Sequence, residues 1–272
     1  MKIYAVRDEN EENTKKDLAY LIYYEKAKCF YIELPEDADA WETPLLLSSF
    51  AKKGIKTVGA YFSMLWVRQR IVPEDRQNLG QILKENGLEE YDEYALLMLG
   101  QGRCAQDSYY LSEITRQELP KSFVSRYRKR IADAIPEADG HLLVFFQDRS
   151  VKKCHIPALT HDNPRFLPIL KRRELFEKVH VSVGGYEISW GENLTIPDYF
   201  LYDNGDATSL ESEDFALFAA HGLVGTSGAA EILGCSRQYV DELARCGQLR
   251  TVKADARNKL FLKSEVLERT WK

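Results

Sequence analysis

Residues 225–271 read GTSGAAEILGCSRQYVDELARCGQLRTVKADARNKLFLKSEVLERTW, and the fold class expected of the whole chain is decided there. Two short helical runs flank Gly234. Thr226 and Ser227 are the candidate caps of the first, which carries Ala229, Ala230, Ile232 and Leu233. Gly234 suits the turn between them, because glycine reaches positive φ without a steric penalty. Ser236 is the cap expected for the second run, where Val240, Leu243 and Ala244 recur at i, i+3, i+4 and share one face. That spacing turns Arg237, Gln238, Asp241, Glu242 and Arg245 away from the core. Gly247 ends the helix. A basic ribbon of Arg250, Lys253, Arg257 and Lys259 follows, closing on Leu260, Phe261 and Leu262, and a last helix over 264–271 packs back through Val266, Leu267 and Trp271.

On those residues the segment resembles the helix-turn-helix domains of the excisionase and MerR-like families. Ala230 stands at the small position where the two helices touch, Gly234 in the turn and Val240 at the buried β-branched position. The run Cys246, Gly247, Gln248, Leu249, followed by a wing and a further helix, fits the same families. The resemblance covers about the last fifth of the chain. It implies a winged helix-turn-helix whose second helix enters the major groove of double-stranded DNA. The expected base-reading set is Ser236, Arg237, Gln238, Asp241 and Arg245, with Arg237 bidentate to guanine, Gln238 to adenine and Asp241 accepting from cytosine. Arg250, Lys253, Arg257 and Lys259 are the expected phosphate contacts, which fix register without reading sequence. Four such contacts correspond to a salt slope on the order of −4. The plainer alternative is a small helical cap on a larger protein, with the arginines as solvated surface charges.

Composition is compatible with that reading. From residue 225 onward nine Lys/Arg face six Asp/Glu, a net of +3, whereas the whole chain of 272 residues carries −5 and the preceding part −8. A mildly basic segment on an acidic body suits a selective DNA reader more than a general polyanion binder. Five cysteines, Cys29, Cys104, Cys154, Cys235 and Cys246, are scattered with no CxxC pair, which points to reduced thiols, a cytoplasmic address and no zinc site. The sequence has no apolar run of spanning length, no signal-peptide core and no feature that calls for a cofactor.

Ahead of the segment the expectation is α+β throughout: a domain over 1–136, a small domain over 137–206 and a connecting helix within 207–224, before the module at 225–272. Strands are expected at 1–6, 20–24 and 29–34, and helices at 41–51, 61–69, 76–85 and 91–99. Arg70 and Arg76, either side of Pro73, are a possible anion site; the competing reading pairs them with Glu74, Asp75 or the acids near Glu90. Cys104 with Asp107 suggests a nucleophile, but cysteine catalysis needs a base, and the five histidines lie far along the chain in no recognisable signature. No catalytic residue is therefore assigned. A basic helix is expected over 121–130.

Hairpins are expected at 141–156 and 178–190 around a helix near 164–170, with Trp190 in the core and 203–206 as a turn. The Phe-Gln-Asp turn at 146–148, the Leu-Pro-Ile-Leu helix at 167–170 and the Ile-Ser-Trp strand at 188–190 resemble a small bacterial domain family of unknown function found near toxin–antitoxin genes. The combined expectation is a sequence-specific DNA-binding transcription regulator, autoregulatory and antitoxin-like, working as a homodimer or with a partner protein. The alternative is a protein-binding antitoxin or phage-defence adaptor whose last module contacts protein.

Overall fold

The protein is seen in a computed structural model that describes residues 1–10, 16–191, 194–207, 209–255 and 258–272. It mixes helices with several small sheets, as an α+β chain does, and divides into two compact units, Met1–Val124 and Ser125–Lys272.

The first unit is built on an antiparallel sheet of β1 (Lys2–Asp8), β2 (Ala19–Tyr24), β3 (Cys29–Glu33), β4 (Thr57–Val58) and β5 (Tyr109–Glu113), in the order β4-β3-β2-β1-β5. Aromatic and β-branched side chains dominate β2 and β3, and every residue of β2 is buried, so the central strands are covered on both faces. The pairing of β1 with β5 (Val6 opposite Leu111) closes the sheet across about a hundred residues of chain. Four helices lie between β3 and β5: α1 (Leu45–Lys52) and, after β4, α2 (Ala60–Arg68), α3 (Leu79–Glu85) and α4 (Glu93–Leu99). Leu47, Trp66, Val67 and Leu97 from these helices bury against Leu21, Tyr23, Phe30 and Ile32. α1 is shorter than the expected 41–51. It starts after Pro44, and Trp41 lies outside it with its backbone N–H donated to Asp39 Oδ1 at 2.6 Å. α5 (Lys121–Arg128) carries the chain from one unit into the next.

The second unit opens on β6 (Ile131–Pro136), β7 (His141–Phe146) and β8 (Val151–His155), joined with β12 (Asp206–Ala207) in a sheet of order β12-β8-β7-β6. β6 pairs with β7 (Ile135 opposite Leu143), and it lies in the second compact unit. Short helices α6 (Ile156–Leu159), α7 (Leu167–Leu170) and α8 (Arg173–Phe176) lead to a second sheet of β9 (His180–Val181), β10 (Glu187–Ser189) and β11 (Thr195–Pro197). Gly185 brings the backbones together: at φ +75° an added Cβ would lie 2.2 Å from the Ile131 carbonyl oxygen. Trp190 is half-buried, not sealed in, and its indole N–H donates to the Phe176 carbonyl at 2.9 Å. The turn expected at 203–206 is instead the end of α9 (Asp198–Asn204), then Gly205 and the start of β12 (Asp206–Ala207), which edges onto β8.

α10 (Ser212–His221) follows, opened by a capping box between Glu211 and Asp214. It feeds β13 (Leu223–Gly225), α11 (Thr226–Leu233), α12 (Arg237–Arg245), β14 (Thr251–Ala254), β15 (Lys259–Leu262) and α13 (Lys263–Trp271), with a sheet of order β13-β15-β14. Among the described residues no helix is long and apolar enough to cross a membrane.

Candidate nucleic-acid interface

α11 and α12 are held by one small core. Ala229, Ala230, Val240, Leu243, Leu249, Phe261 and Val266 bury together, drawing on both helices, the segment after α12, β15 and α13. The small side chains of Ala229 and Ala230 let the two helices approach closely. Both helices end in the same way. The Gly234 N–H donates to the Glu231 carbonyl (3.2 Å) and the Cys235 N–H to that of Ala230 (3.0 Å); Gly247 and Gln248 repeat the pattern onto Ala244 and Leu243 (3.2 and 2.9 Å). Gly234 and Gly247 stand at φ +62° and +70°, the left-handed conformation that such endings require. At the start of α12 the Ser236 hydroxyl accepts the Tyr239 N–H at 3.2 Å, as an N-cap does. α11 departs from expectation. Thr226 and Ser227 lie inside it, its N-cap is Gly225, and no side chain caps it, because β13 runs directly into the helix.

α12 buries only Val240 and Leu243. Ser236, Arg237, Gln238, Tyr239, Asp241, Glu242 and Arg245 are exposed. The exposed side chains fall on two adjoining strips. Arg237 and Asp241, one turn apart, face a cleft of about 830 Å³ whose other walls are the first turn of α11 (Thr226, Ser227, Gly228) and the hairpin of β14 and β15 (Lys253, Asp255, Asn258, Lys259). Gln238, Glu242 and Arg245 do not line it. The hairpin turn is closed by the Asn258 N–H on Asp255 Oδ1 (2.7 Å) and the Asp255 N–H on the Asn258 carbonyl (2.9 Å). An irregularity in the β14 register between Thr251 and Lys253 alters which way the intervening side chains point.

The cations differ in how they are already engaged. Lys259 Nζ sits 2.6 Å from Asp241 Oδ1, tying the hairpin to α12. The Arg250 guanidinium is 3.1 Å from Glu265 on α13 and lies outside the cleft. Arg245 and Glu242 approach at 3.9 Å on the open helix surface. Arg237 and Lys253 have no ion pair or side-chain hydrogen bond among the described residues, and both line the cleft. Arg257 lies outside the described residues. Sequence reasoning missed Thr226, Ser227, Gly228 and Asn258 as cleft residues; the run of apolar Leu223 and Val224 straight into Gly225 was the available sign that a strand delivers the first helical turn there. It also missed Tyr239, which stands exposed beside Arg237 and Gln238.

No family model, curated protein or solved structure matches this chain.

The other basic candidate behaves differently. Arg70 is buried in the first unit, with Nη2 at 2.6 Å from Asp107 Oδ2, Nη1 at 3.2 Å from Cys104 Sγ and its guanidinium 4.0 Å from the centre of the Trp66 ring. Arg76 is exposed and donates from Nε to Asn78 at 2.9 Å. Arg70 therefore meets its charge in Asp107, and not in Glu74, Asp75 or the acids near Glu90. The two arginines are engaged separately, Arg70 with Asp107 and Arg76 with Asn78. Cys104, the nucleophile considered from sequence, is the acceptor of Arg70.

In the second unit a titratable cluster joins α10 to the sheet of β6–β8. Lys153 lies 3.0 Å from Glu137 and 3.4 Å from Asp214, and both carboxylates are buried. Burial raises the Glu137 carboxyl above its ordinary range, against the pull of Lys153. The Glu211 backbone N–H and then Glu137 hold Asp214 below its own. Among the described residues no group of three or more His, Cys, Asp or Glu is placed to hold a metal ion.

Proposed function

We propose that residues 225–272 form a winged helix-turn-helix and that the protein is a sequence-specific DNA-binding regulator, with α12 in the major groove and the hairpin of β14 and β15 as the wing along the backbone. The observation that carries this reading is the pair Arg237 and Lys253, neither with a partner among the described residues, in an open cleft between the exposed helix and the hairpin. A side chain that already neutralises a carboxylate has part of its charge spent, whereas a free cation releases a condensed counterion in full when it meets a phosphate. Lys259 and Arg250 belong to the first kind, so the salt slope expected is shallower than four free contacts would give. Arg237 is the base reader at the helix start, Gln238 its neighbour, and Lys253 the principal phosphate clamp. Ser236 is occupied as a cap and contributes by fixing the helix entry.

A second reading is favoured by the mixed character of the same surface. Asp241, Glu242 and the exposed Tyr239 share α12 with the cations, a combination as suited to a protein partner as to a duplex. The two readings separate in a selection from a random pool of duplexes by the full chain. A DNA reader enriches one motif over successive rounds. A pool that stays random, with retention that vanishes at modest salt, contradicts the DNA reading.

A further inference from the structure

The first unit displays apolar side chains that its own core does not cover. Trp41 is 96% exposed, Leu45 90%, Tyr61 71% and Phe62 44%. Trp41 precedes α1, Leu45 opens it, and Tyr61 and Phe62 lie in the first turn of α2; the two helices touch through Phe50 and Phe62, whose ring centres are 5.2 Å apart, and the Tyr61 ring lies at the same distance from Phe62. At these exposures the four side chains present on the order of 600 Å² of largely apolar surface. That is at the upper end of what a lone folded chain carries, and it approaches the roughly 800 Å² per partner of a stable interface once a polar rim is added.

The rim has a polarity. Asp37 and Asp39 precede α1 on the side of Trp41, and Lys52 and Lys53 end it; all four are exposed and none has an ion pair among the described residues. Eight residues of helix separate the two ends by about 12 Å. A two-fold axis that runs α1 of one molecule antiparallel to α1 of another sets each acidic end against a lysine end. It also sets Trp41 and Leu45 of one copy against Tyr61 and Phe62 of the other. The surface is thus complementary to itself in both apolar area and charge, which is what an isologous interface requires. A parallel arrangement would bring like charges together.

We infer that this face is a homodimer interface and that its occupant is a second copy of this chain, docked through antiparallel α1 helices. The inference does not depend on DNA binding, and its readout does not involve DNA. Sedimentation velocity on the full chain at micromolar concentration should show a dimer. Leu45→Glu and, separately, Tyr61→Glu should each weaken the dimer at least about thirtyfold, since each places a charge in the apolar centre. Both positions are exposed, so melting of the dissociated chain should be unchanged and loss of dimer is distinguishable from loss of fold. Asp37→Lys and Lys53→Glu should each weaken it about fivefold, and the two together in one chain should restore it, a reversal that general surface damage cannot produce. A wild-type monomer, or a dimer indifferent to both glutamate substitutions, overturns the proposal. So does a charge pair that weakens the dimer additively when combined.

Discussion

Two arginines that look alike in sequence have opposite surroundings. Arg70 follows α2 in a stretch dense with charge, and Arg237 opens α12 in another. The first is buried against Trp66, Asp107 and Cys104. The second is exposed and has no partner among the described residues, at the edge of a cleft that also holds Lys253. The difference teaches that a guanidinium becomes available to a ligand when the carboxylates near it are engaged elsewhere, as Asp241 is with Lys259, and charge density along the chain does not report such pairing. Arg70 belongs to the architecture of its unit, whereas Arg237 lines an open cleft.

The largest expected effect comes from breaking the first of these. Arg70→Ala leaves Asp107 without its counter-charge and a gap over Trp66, and should lower the stability of the first unit by about 3 kcal/mol in denaturant titration. Arg70→Lys should recover only part, because an ammonium cannot hold Asp107 and stack on the indole together. Arg237→Ala should change stability by no more than about 0.5 kcal/mol. If the two alanine variants melted alike, the contrast between structural and available arginine would fail.

Next in size is the turn that presents α12. Gly234 sits at φ +62° with nothing within 4 Å of the place a Cβ would take, so its substitution cost is one of backbone alone. Gly234→Val should destabilise the second unit by about 1–2 kcal/mol, and Gly234→Asn by much less, since asparagine tolerates the left-handed region. Thermal melts of the two variants distinguish this from a packing role, which would penalise asparagine as heavily.

A smaller effect sharpens the difference between free and engaged cations. Lys253→Ala should weaken binding to every duplex alike and reduce the magnitude of the salt slope by about 1. Asp241→Asn releases Lys259 from its 2.6 Å pair and should do the reverse, raising affinity for all sequences and steepening the slope. Binding isotherms at several salt concentrations read both. A variant of Asp241 that left the slope untouched would mean that Lys259 contacts no phosphate.

The smallest effect is a pH dependence in the second unit. Glu137 has its folded pKa raised, so it favours folding while protonated and stability falls as pH rises above about 4.5, its unfolded value. Asp214 has its folded pKa lowered, so its contribution is present above about 3.8 and is lost as pH falls below that. Glu137→Gln should remove the decline above about 4.5 and weaken the acid-side contribution as well, because Glu137 helps to hold the Asp214 carboxyl below its ordinary range. The difference between wild-type and variant melting curves against pH isolates this from the other carboxylates.

Much of the C-terminal arrangement was legible because its constraints are local. A left-handed glycine, a serine cap and an i, i+3, i+4 face each involve residues within one or two turns, and Gly234, Ser236, Val240 and Leu243 sit as the pattern requires. The hairpins at 19–33 and 141–155 were readable for the same reason. What escaped depends on partners far along the chain. β5 is a strand because β1 offers it an edge, and β6 joins the second unit because β7 does. The partner of Arg70 is 37 positions away, and no local rule selects Asp107 over Glu74 or Asp75. The cleft was half legible. Its cations were named from sequence, but which of them are already paired with Asp241 or Glu265 is a matter of three-dimensional neighbours.

The proposed DNA recognition turns on α12 reading a duplex through Arg237. Fluorescence anisotropy, at one fixed salt concentration, of the duplex recovered by selection and of its scrambled counterpart tests this most directly, with wild-type protein and Arg237→Ala side by side. If α12 reads bases through Arg237, the substitution collapses the ratio of the two affinities by about ten- to a hundredfold while the scrambled duplex is bound nearly as before. An unchanged ratio, or an equal loss on both duplexes, would contradict it.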